Sequence, residues 1–317
     1  MHRCEKPLAG LRILDLSKLL PGPFASRLLA DLGAQVVAVT SPKVGDPLSS
    51  MPKLFSALNH DKEFLSIDFQ NEEDRQKFYE ECRKADVLIE GFRPGFTKKL
   101  GADFDTVKEI NPKIIYCSIS GYGQNGPRAG KAAHDINYLA ECGVLHQMGI
   151  DKMNGAVPNI QISDLAGSFH ACIAILAAVH ARGHSNEAQY LDISLIDSAL
   201  SMAIIPLSMM AQSGQVPQSG QDILNGGQAC YRTYQTADQK YVALGAFEKK
   251  FWANLCRTLN IEDLIDAHMT TGPKNGEAIQ KLTSIFRTKT RDEWTQFFNG
   301  QDVCFSPVLD LHEASSP

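Results

Sequence analysis

Two short segments carry the side chains best suited to moving a proton. Ala132-Ala133-His134-Asp135-Ile136-Asn137-Tyr138-Leu139-Ala140 offers an imidazole, and Ile162-Ser163-Asp164-Leu165-Ala166-Gly167 a carboxylate, each at the start of an expected helix. Two such groups flanking one carbon can take a proton from one face and return it to the other. Further along, Gly245-Ala246-Phe247-Glu248 supplies a carboxylate that would position the imidazole. Each residue alone has a plainer reading. His134 fills a loop, Asp164 caps its helix, and Glu248 offsets the dipole of the helix after it. Positions 134 and 164 are too far apart to share one helix face, so a working pair has to come from two helix starts.

The elements that would hold them can be read from hydrophobic pattern. Leu11 to Leu16 is an apolar strand, Pro21-Gly22-Pro23 punctuates a turn, and Phe24, Leu28, Leu29 and Leu32 form a helical stripe closed by Gly33. Val36 to Val39 is a second strand, which completes a β-α-β unit and implies parallel pairing with a right-handed crossover. Phe64–Ile67, Asp86–Glu90 and Lys113–Ser118 read as further strands. Asn71 is the expected N-cap of a helix with Glu72, Glu73 and Asp74 in its first turn and Arg83 and Lys84 near its end. One helix is expected from Asp135 to about Leu145, with Asp135 as its cap, and a strongly apolar one after Asp164. The fold class is therefore α/β, a doubly wound (Rossmann-like) large domain over residues 1–200. No Gly-x-Gly-x-x-Gly follows the first strand, which argues against a dinucleotide cofactor. Residues 201–227 read as a linker, with Gly, Gln and Ser dominating from Gly214. Residues 228–317 read as a smaller α+β domain. It has a hairpin across Ala237-Asp238-Gln239, helices near 249–259, 277–287 and 291–299, and a last strand at Ser306–Leu309.

Composition narrows the classes. The chain has 317 residues, 44% hydrophobic and 21% charged, with a net charge of −5. These are the proportions of a globular protein with ample core, and without a basic stripe neither nucleic acid nor a membrane is an expected partner. The eight cysteines are scattered without a Cys-x-x-Cys and are read as buried, reduced thiols. The cytoplasm is the expected compartment, with peroxisome or mitochondrion open for a eukaryotic chain. Met1 to Pro7 is too short and polar for a signal peptide, and Ala171 to Val179, the longest apolar stretch, is read as too short to span a bilayer.

Several ordered motifs resemble the class III CoA-transferase superfamily. They are Leu8 to Leu16, Pro21-Gly22-Pro23-Phe24-Ala25, Leu29 to Ala34, Ala85 to Gly95, and Ser120-Gly121-Tyr122-Gly123-Gln124-Asn125-Gly126-Pro127. Within it, the α-methylacyl-CoA racemase branch is the more similar, on His134 to Leu139, Leu224-Asn225-Gly226-Gly227, Tyr234 to Asp238, Val242 to Glu248 and Asp302 to Leu309. The resemblance runs from about residue 8 to residue 313. It implies an isomerase, a racemase or epimerase of 2-methyl-branched acyl-CoA thioesters in fatty acid metabolism. His134 and Asp164 would be the acid/bases on the two faces of the α-carbon, and Glu248 would pair with His134. The backbone N–H of Asp135 would face the enolate oxygen. No metal and no cofactor is implied beyond coenzyme A as part of the substrate. The resemblance also implies an intertwined homodimer.

Coenzyme A is expected on the large domain, with Lys62, Arg93 and Lys99 as candidate phosphate partners and Ala133, Asp135 and Tyr138 as contacts near the thioester. Here the chain departs from the family. Ala38, Ser41 and Gln70 stand where relatives carry cations, and Asp61-Lys62-Glu63-Phe64 replaces a Gly-Lys-Arg-Ser sequence. A charge-assisted hydrogen bond to phosphate is worth roughly 1.5–3 kcal/mol, so with fewer cations a weaker or differently oriented coenzyme A site is expected. Asn225 replaces an Asp, and Gly226-Gly227-Gln228 resembles the glycine-rich loop of the transferases. The family's return segment beyond Pro317 is absent from this sequence. Two other readings stay open: a CoA transferase with Asp164 as nucleophile, and a catalytically weakened acyl-CoA-binding protein.

Overall fold

In the computed structural model, residues 6–150, 154–185 and 187–315 are described. The chain divides into two units, Met1–His146 with Ile150–Ile205, and Gln147–Gly149 with Pro206–Pro317.

The first unit is built on six parallel strands: β1 (Arg12–Asp15), β2 (Gln35–Thr40), β3 (Glu63–Ser66), β4 (Val87–Glu90), β5 (Ile115–Ser120) and β6 (Gln189–Ser194). Their order, β3-β2-β1-β4-β5-β6, is that of a doubly wound nucleotide-binding sheet, with its switch point between β1 and β4. Connecting helices are α1 (Pro21–Asp31), α2 (Pro52–Asn59), α3 (Glu72–Lys84), α4 (Phe96–Leu100), α5 (Phe104–Ile110), α6 (Asp135–Glu141), α7 (Val144–Gln147), α8 (Ile162–Ser185) and α9 (Leu195–Ser201).

Both faces of the sheet are covered, which is why its central strands read as unbroken apolar runs. Alternate residues point to opposite faces. Ile13, Val36, Ile89 and Cys117 meet Leu29 of α1 and Ala171 and Ile175 of α8 on one side. Leu14, Val37, Leu88 and Tyr116 meet Phe78 of α3 and Val107 of α5 on the other. Asn71 caps α3 as expected, its Oδ1 accepting from Asp74 N–H at 3.1 Å.

Two expectations are corrected here, and one is qualified. The helix after His134 stops at Glu141, because Gly143 takes a left-handed φ of 81° and only α7 resumes beyond it. His134 occupies its N-cap position and Asp135 is its first helical residue. The third concerns Ala171 to Val179. It lies inside α8, where Ile162–Gly183 contains an 18-residue window of mean hydropathy 1.7 and passes, by length and composition alone, as a span that a core helix would equally match. Counting consecutive apolar residues missed this, since Ser168 and His170 interrupt the run. In the fold, Ala171, Ile175 and Ala178 of that helix pack on the sheet.

The second unit has a three-stranded antiparallel sheet, order β7-β8-β9, from β7 (Tyr231–Gln235), β8 (Tyr241–Gly245) and β9 (Phe305–Pro307). Gln239 takes φ 61° in the expected hairpin turn, and Thr236 N–H donates to Lys240 O at 3.0 Å across it. Helices α10 (Ile204–Ser213), α11 (Lys249–Thr258), α12 (Pro273–Phe286), α13 (Arg291–Phe297) and α14 (Leu311–Ser315) complete the helical set. Its core gathers Trp252, Phe286 and Trp294, and the two indole N–H groups donate to Leu264 O and Phe286 O. Within the expected linker, residues 204–213 are helical. The Gly- and Gln-rich remainder bonds to itself: Asn225 Oδ1 accepts from Asp222 N–H at 2.7 Å, and Asn225 Nδ2 donates to Gln218 O at 3.0 Å.

Candidate active site

Ligands of open α/β sheets bind beyond the carboxyl ends of the strands, and two adjoining clefts lie there. One, of about 540 Å³, opens past β1, β2 and β4. Its walls are apolar, with Leu16, Val39, Phe69, Phe92 and Phe96, and Lys18, Lys43 and Arg93 stand at its margin. The other, of about 450 Å³, opens past β1, β4 and β5 and is lined by His134, Asp164, Ala133 and Tyr138 among others. Lys18, Gly91, Phe92 and Arg93 line both.

Two helix starts deliver the chemical groups to the second cleft. His134 is exposed at the head of α6, and its backbone N–H donates to Asn137 Oδ1 at 3.0 Å. Asp164 sits within the first turn of α8, which begins at Ile162, rather than at the cap. Burial and the neighbouring Asp135 carboxylate raise its pKa from 3.8 to about 7. Such a carboxyl can both give and accept a proton near neutrality. Tyr138 is buried beside them, and its hydroxyl donates to Ala133 O at 3.0 Å. Its pKa is pushed up to about 12, first by burial and then by Asp164, so it stays a phenol.

Asp135 faces away from the role of a simple cap. Its Oδ1 accepts from Ser163 N–H at 2.8 Å, from Asp164 N–H at 3.2 Å and from the Ser163 hydroxyl. It thus serves the start of α8, not its own helix.

The expected phosphate partners separate. Arg93 is exposed and lines both clefts. Lys62 is a correction. Its ammonium is buried, with Pro23 O and Asn59 Oδ1 at 3.0 Å and Asp15 Oδ2 at 3.4 Å. Burial lowers its pKa, and those contacts leave it facing the interior. Lys99 is exposed on α4 and lines neither cleft. Sequence reasoning passed over Lys18, Lys43 and Lys131. Lys18 stands in the loop after β1, where the strand-end rule looks for ligand contacts, and its ammonium donates to Val44 O at 2.7 Å. Lys43 is tied to Asp68 Oδ2 at 2.8 Å and Gln70 Oε1 at 2.9 Å, and Lys131 to Glu141. Among the described residues, no three His, Cys, Asp or Glu side chains group so as to hold a metal ion.

Glu248 belongs to the second unit, exposed at the N-cap position of α11. That unit has its own cleft of about 570 Å³, lined by Leu224, Asn225 and Gly226 together with Tyr231, Arg232 and Cys304.

The model of CoA-transferase family III matches residues 8–317. The chain belongs to CoA-transferase family III. Among its relatives in this family, the α-methylacyl-CoA racemase of Mus musculus is 35% identical over 308 residues, covering 97% of this chain and 79% of that protein. A CaiB/baiF CoA-transferase family protein of Caenorhabditis elegans is 34% identical, covering 98% and 88%. The succinyl-CoA:glutarate CoA-transferase of Mus musculus is 29% identical, covering 98% and 74%. A CAIB/BAIF family protein from Brucella suis has the same fold, with a TM-score of 0.83 at 26% identity, covering 98% and 86%. Family III therefore supplies both racemases and transferases among the similar proteins.

Proposed function

We propose that this family III member is an epimerase of 2-methyl-branched acyl-CoA thioesters. The observation that carries the reading is one cleft lined by both an imidazole and a carboxyl whose pKa lies near 7. His134 takes the α-proton from one face of the substrate. The electron pair of the broken C–H bond moves into the thioester carbonyl, and the backbone N–H of Asp135 supports the resulting enolate oxygen. Protonated Asp164 returns a proton to the other face. Glu248, contributed by the second unit of a partner copy in a homodimer, holds the imidazole tautomer. The adenosine end of coenzyme A takes the apolar cleft, with Arg93 and Lys18 near its phosphates. With Lys43 already engaged by Asp68 and Lys62 turned inward, that end is held loosely.

The test is incubation with a 2-methylacyl-CoA in heavy water, without a second acid. The expected result is deuterium at the α-carbon with inversion, lost by about 10²-fold or more in His134→Ala and Asp164→Ala. Each variant keeps part of the exchange of one enantiomer, because each base serves one face. Equal loss of both exchanges in either variant would point to a structural role for that residue.

A second reading is favoured by the transferases among the relatives and by the exposure of Asp164 to the cleft. There the Asp164 carboxylate attacks the thioester carbonyl of an acyl-CoA and expels the coenzyme A thiolate, leaving a mixed anhydride. The thiolate then attacks the aspartyl carbonyl, releasing the donor carboxylate and leaving an aspartyl-CoA thioester. From this an acceptor carboxylate takes the coenzyme A by the same steps in reverse. No α-deuterium, together with a covalent adduct on Asp164 and transfer of coenzyme A to an added acid, would establish it.

A further inference from the structure

The start of α8 is held from outside by one side chain. The first N–H groups of a helix have no partner within it, and here Asp135 takes two of them, at Ser163 and Asp164. The same oxygen also accepts from the Ser163 hydroxyl, and Ser163 is fully buried. Asp135 is covalently next to His134. A single carboxylate oxygen therefore links the residue after one cleft-lining group to the backbone of the other.

We propose that Asp135 is the positioning residue of the site, fixing Asp164 relative to His134 through the first turn of α8. This rests on the reading of His134 and Asp164 as the proton carriers. Its charge adds a second effect. Tyr138 of α6, His134 and Lys131 before α6, Arg93 after β4 and Lys18 after β1 also line the cleft, while α1 and α9 bring only Pro21, Gly22 and Leu195. Besides burial, the charge that raises Asp164 is that of Asp135. One side chain thus sets where Asp164 stands and how readily it gives up its proton.

Two substitutions separate the effects. Asp135→Asn keeps an oxygen for the three donors and removes the charge, whereas Asp135→Ala removes both. The midpoint of Asp164 is read by carboxyl-carbon NMR titration, assigned by the signal lost in Asp164→Asn. In Asp135→Asn that midpoint falls by about one pH unit or more, and the alkaline limb of the exchange begun by His134, where the protonated Asp164 donor is lost, moves down with it. In Asp135→Ala, kcat for exchange falls on the order of tenfold to a hundredfold at every pH, with KM little changed. Asn restores most of that loss on the pH plateau. Should Asp135→Ala fail to fold, Ser163→Ala reports instead: it drops one of the three donors, and kcat falls without movement of the Asp164 midpoint. An unmoved midpoint in Asp135→Asn, or wild-type exchange in the folded Ala variant, would overturn the proposal. A wild-type protein that exchanges no thioester α-proton defeats the epimerase reading instead. The titration then still decides whether Asp135 governs Asp164.

Discussion

Asp164 is a residue whose charge depends on the fold. Its folded pKa of about 7 lies above the ordinary 3.8, so the folded state keeps a proton that the unfolded chain releases. The stability this confers is fully present below about pH 4 and is lost as pH rises through 7. Asparagine is a near-isostere of the neutral acid and never ionises. Asp164→Asn is therefore expected to melt with wild type at pH 4 and above it at pH 8.5. The gap is on the order of 1–3 kcal/mol after allowance for the carboxyl's partial exposure, and each kcal/mol moves Tm by roughly 2–4 °C. A pH-independent difference in Tm would refute the assignment of a raised pKa. Lys62 is the opposite case, a charge whose surroundings no local pattern shows. Beside Glu63 and Asp61 it reads as a surface cation. Its contacts with Asp15, 47 positions earlier, and with Pro23 O, 39 positions earlier, hold it inside.

At the scale of elements, α8 carries a tight constraint and an open position together. A Cβ on Gly167 would stand 2.2 Å from Leu195 Cδ2, where α8 packs on α9, whereas a Cβ on Gly183 meets nothing within 4 Å. Gly167→Ala is expected to destabilise by about 1–3 kcal/mol, through displacement of the buried Leu195. Gly183→Ala should stabilise by roughly 0.5–1 kcal/mol, by helix propensity alone. Urea denaturation of both variants checks the contrast, and equal signs would remove it. The same helix shows what was legible beforehand. Strands β1, β2, β4 and β5 were readable because burial on both faces leaves them apolar. Strand β6 was not, since Gln189, Tyr190 and Asp192 interrupt its apolar residues at the sheet edge. Helix α10 was hidden for a different reason: it buries none of its residues within the chain. Of the site, His134 and Asp164 were found by motif and line one cleft. The task of Asp135 was not found, because its partner Ser163 lies 28 residues away and neither side chain leaves an apolar trace.

For the whole molecule, the residues of the proposed chemistry are divided between units. His134 and Asp164 belong to the first, Glu248 to the second. In the proposed homodimer each site takes His134 from one copy and Glu248 from the other, and that arrangement has a consequence that subunit mixing exposes. Glu248→Gln alone should lower turnover by less than loss of His134, since the imidazole remains and only its tautomer is left unfixed. Co-refolding His134→Ala with Glu248→Gln produces mixed dimers with two unlike sites. One site has lost both residues. The other combines the intact His134 of the Gln variant with the intact Glu248 of the Ala variant, and regains wild-type turnover. With both residues drawn from the same chain, every site in the mixture carries one defect, and exchange stays at the average of the two parent variants. Activity above that average, rising with the fraction of mixed dimer on native mass spectrometry, is the expected result. A flat mixing curve would place the imidazole and its carboxylate partner on one chain.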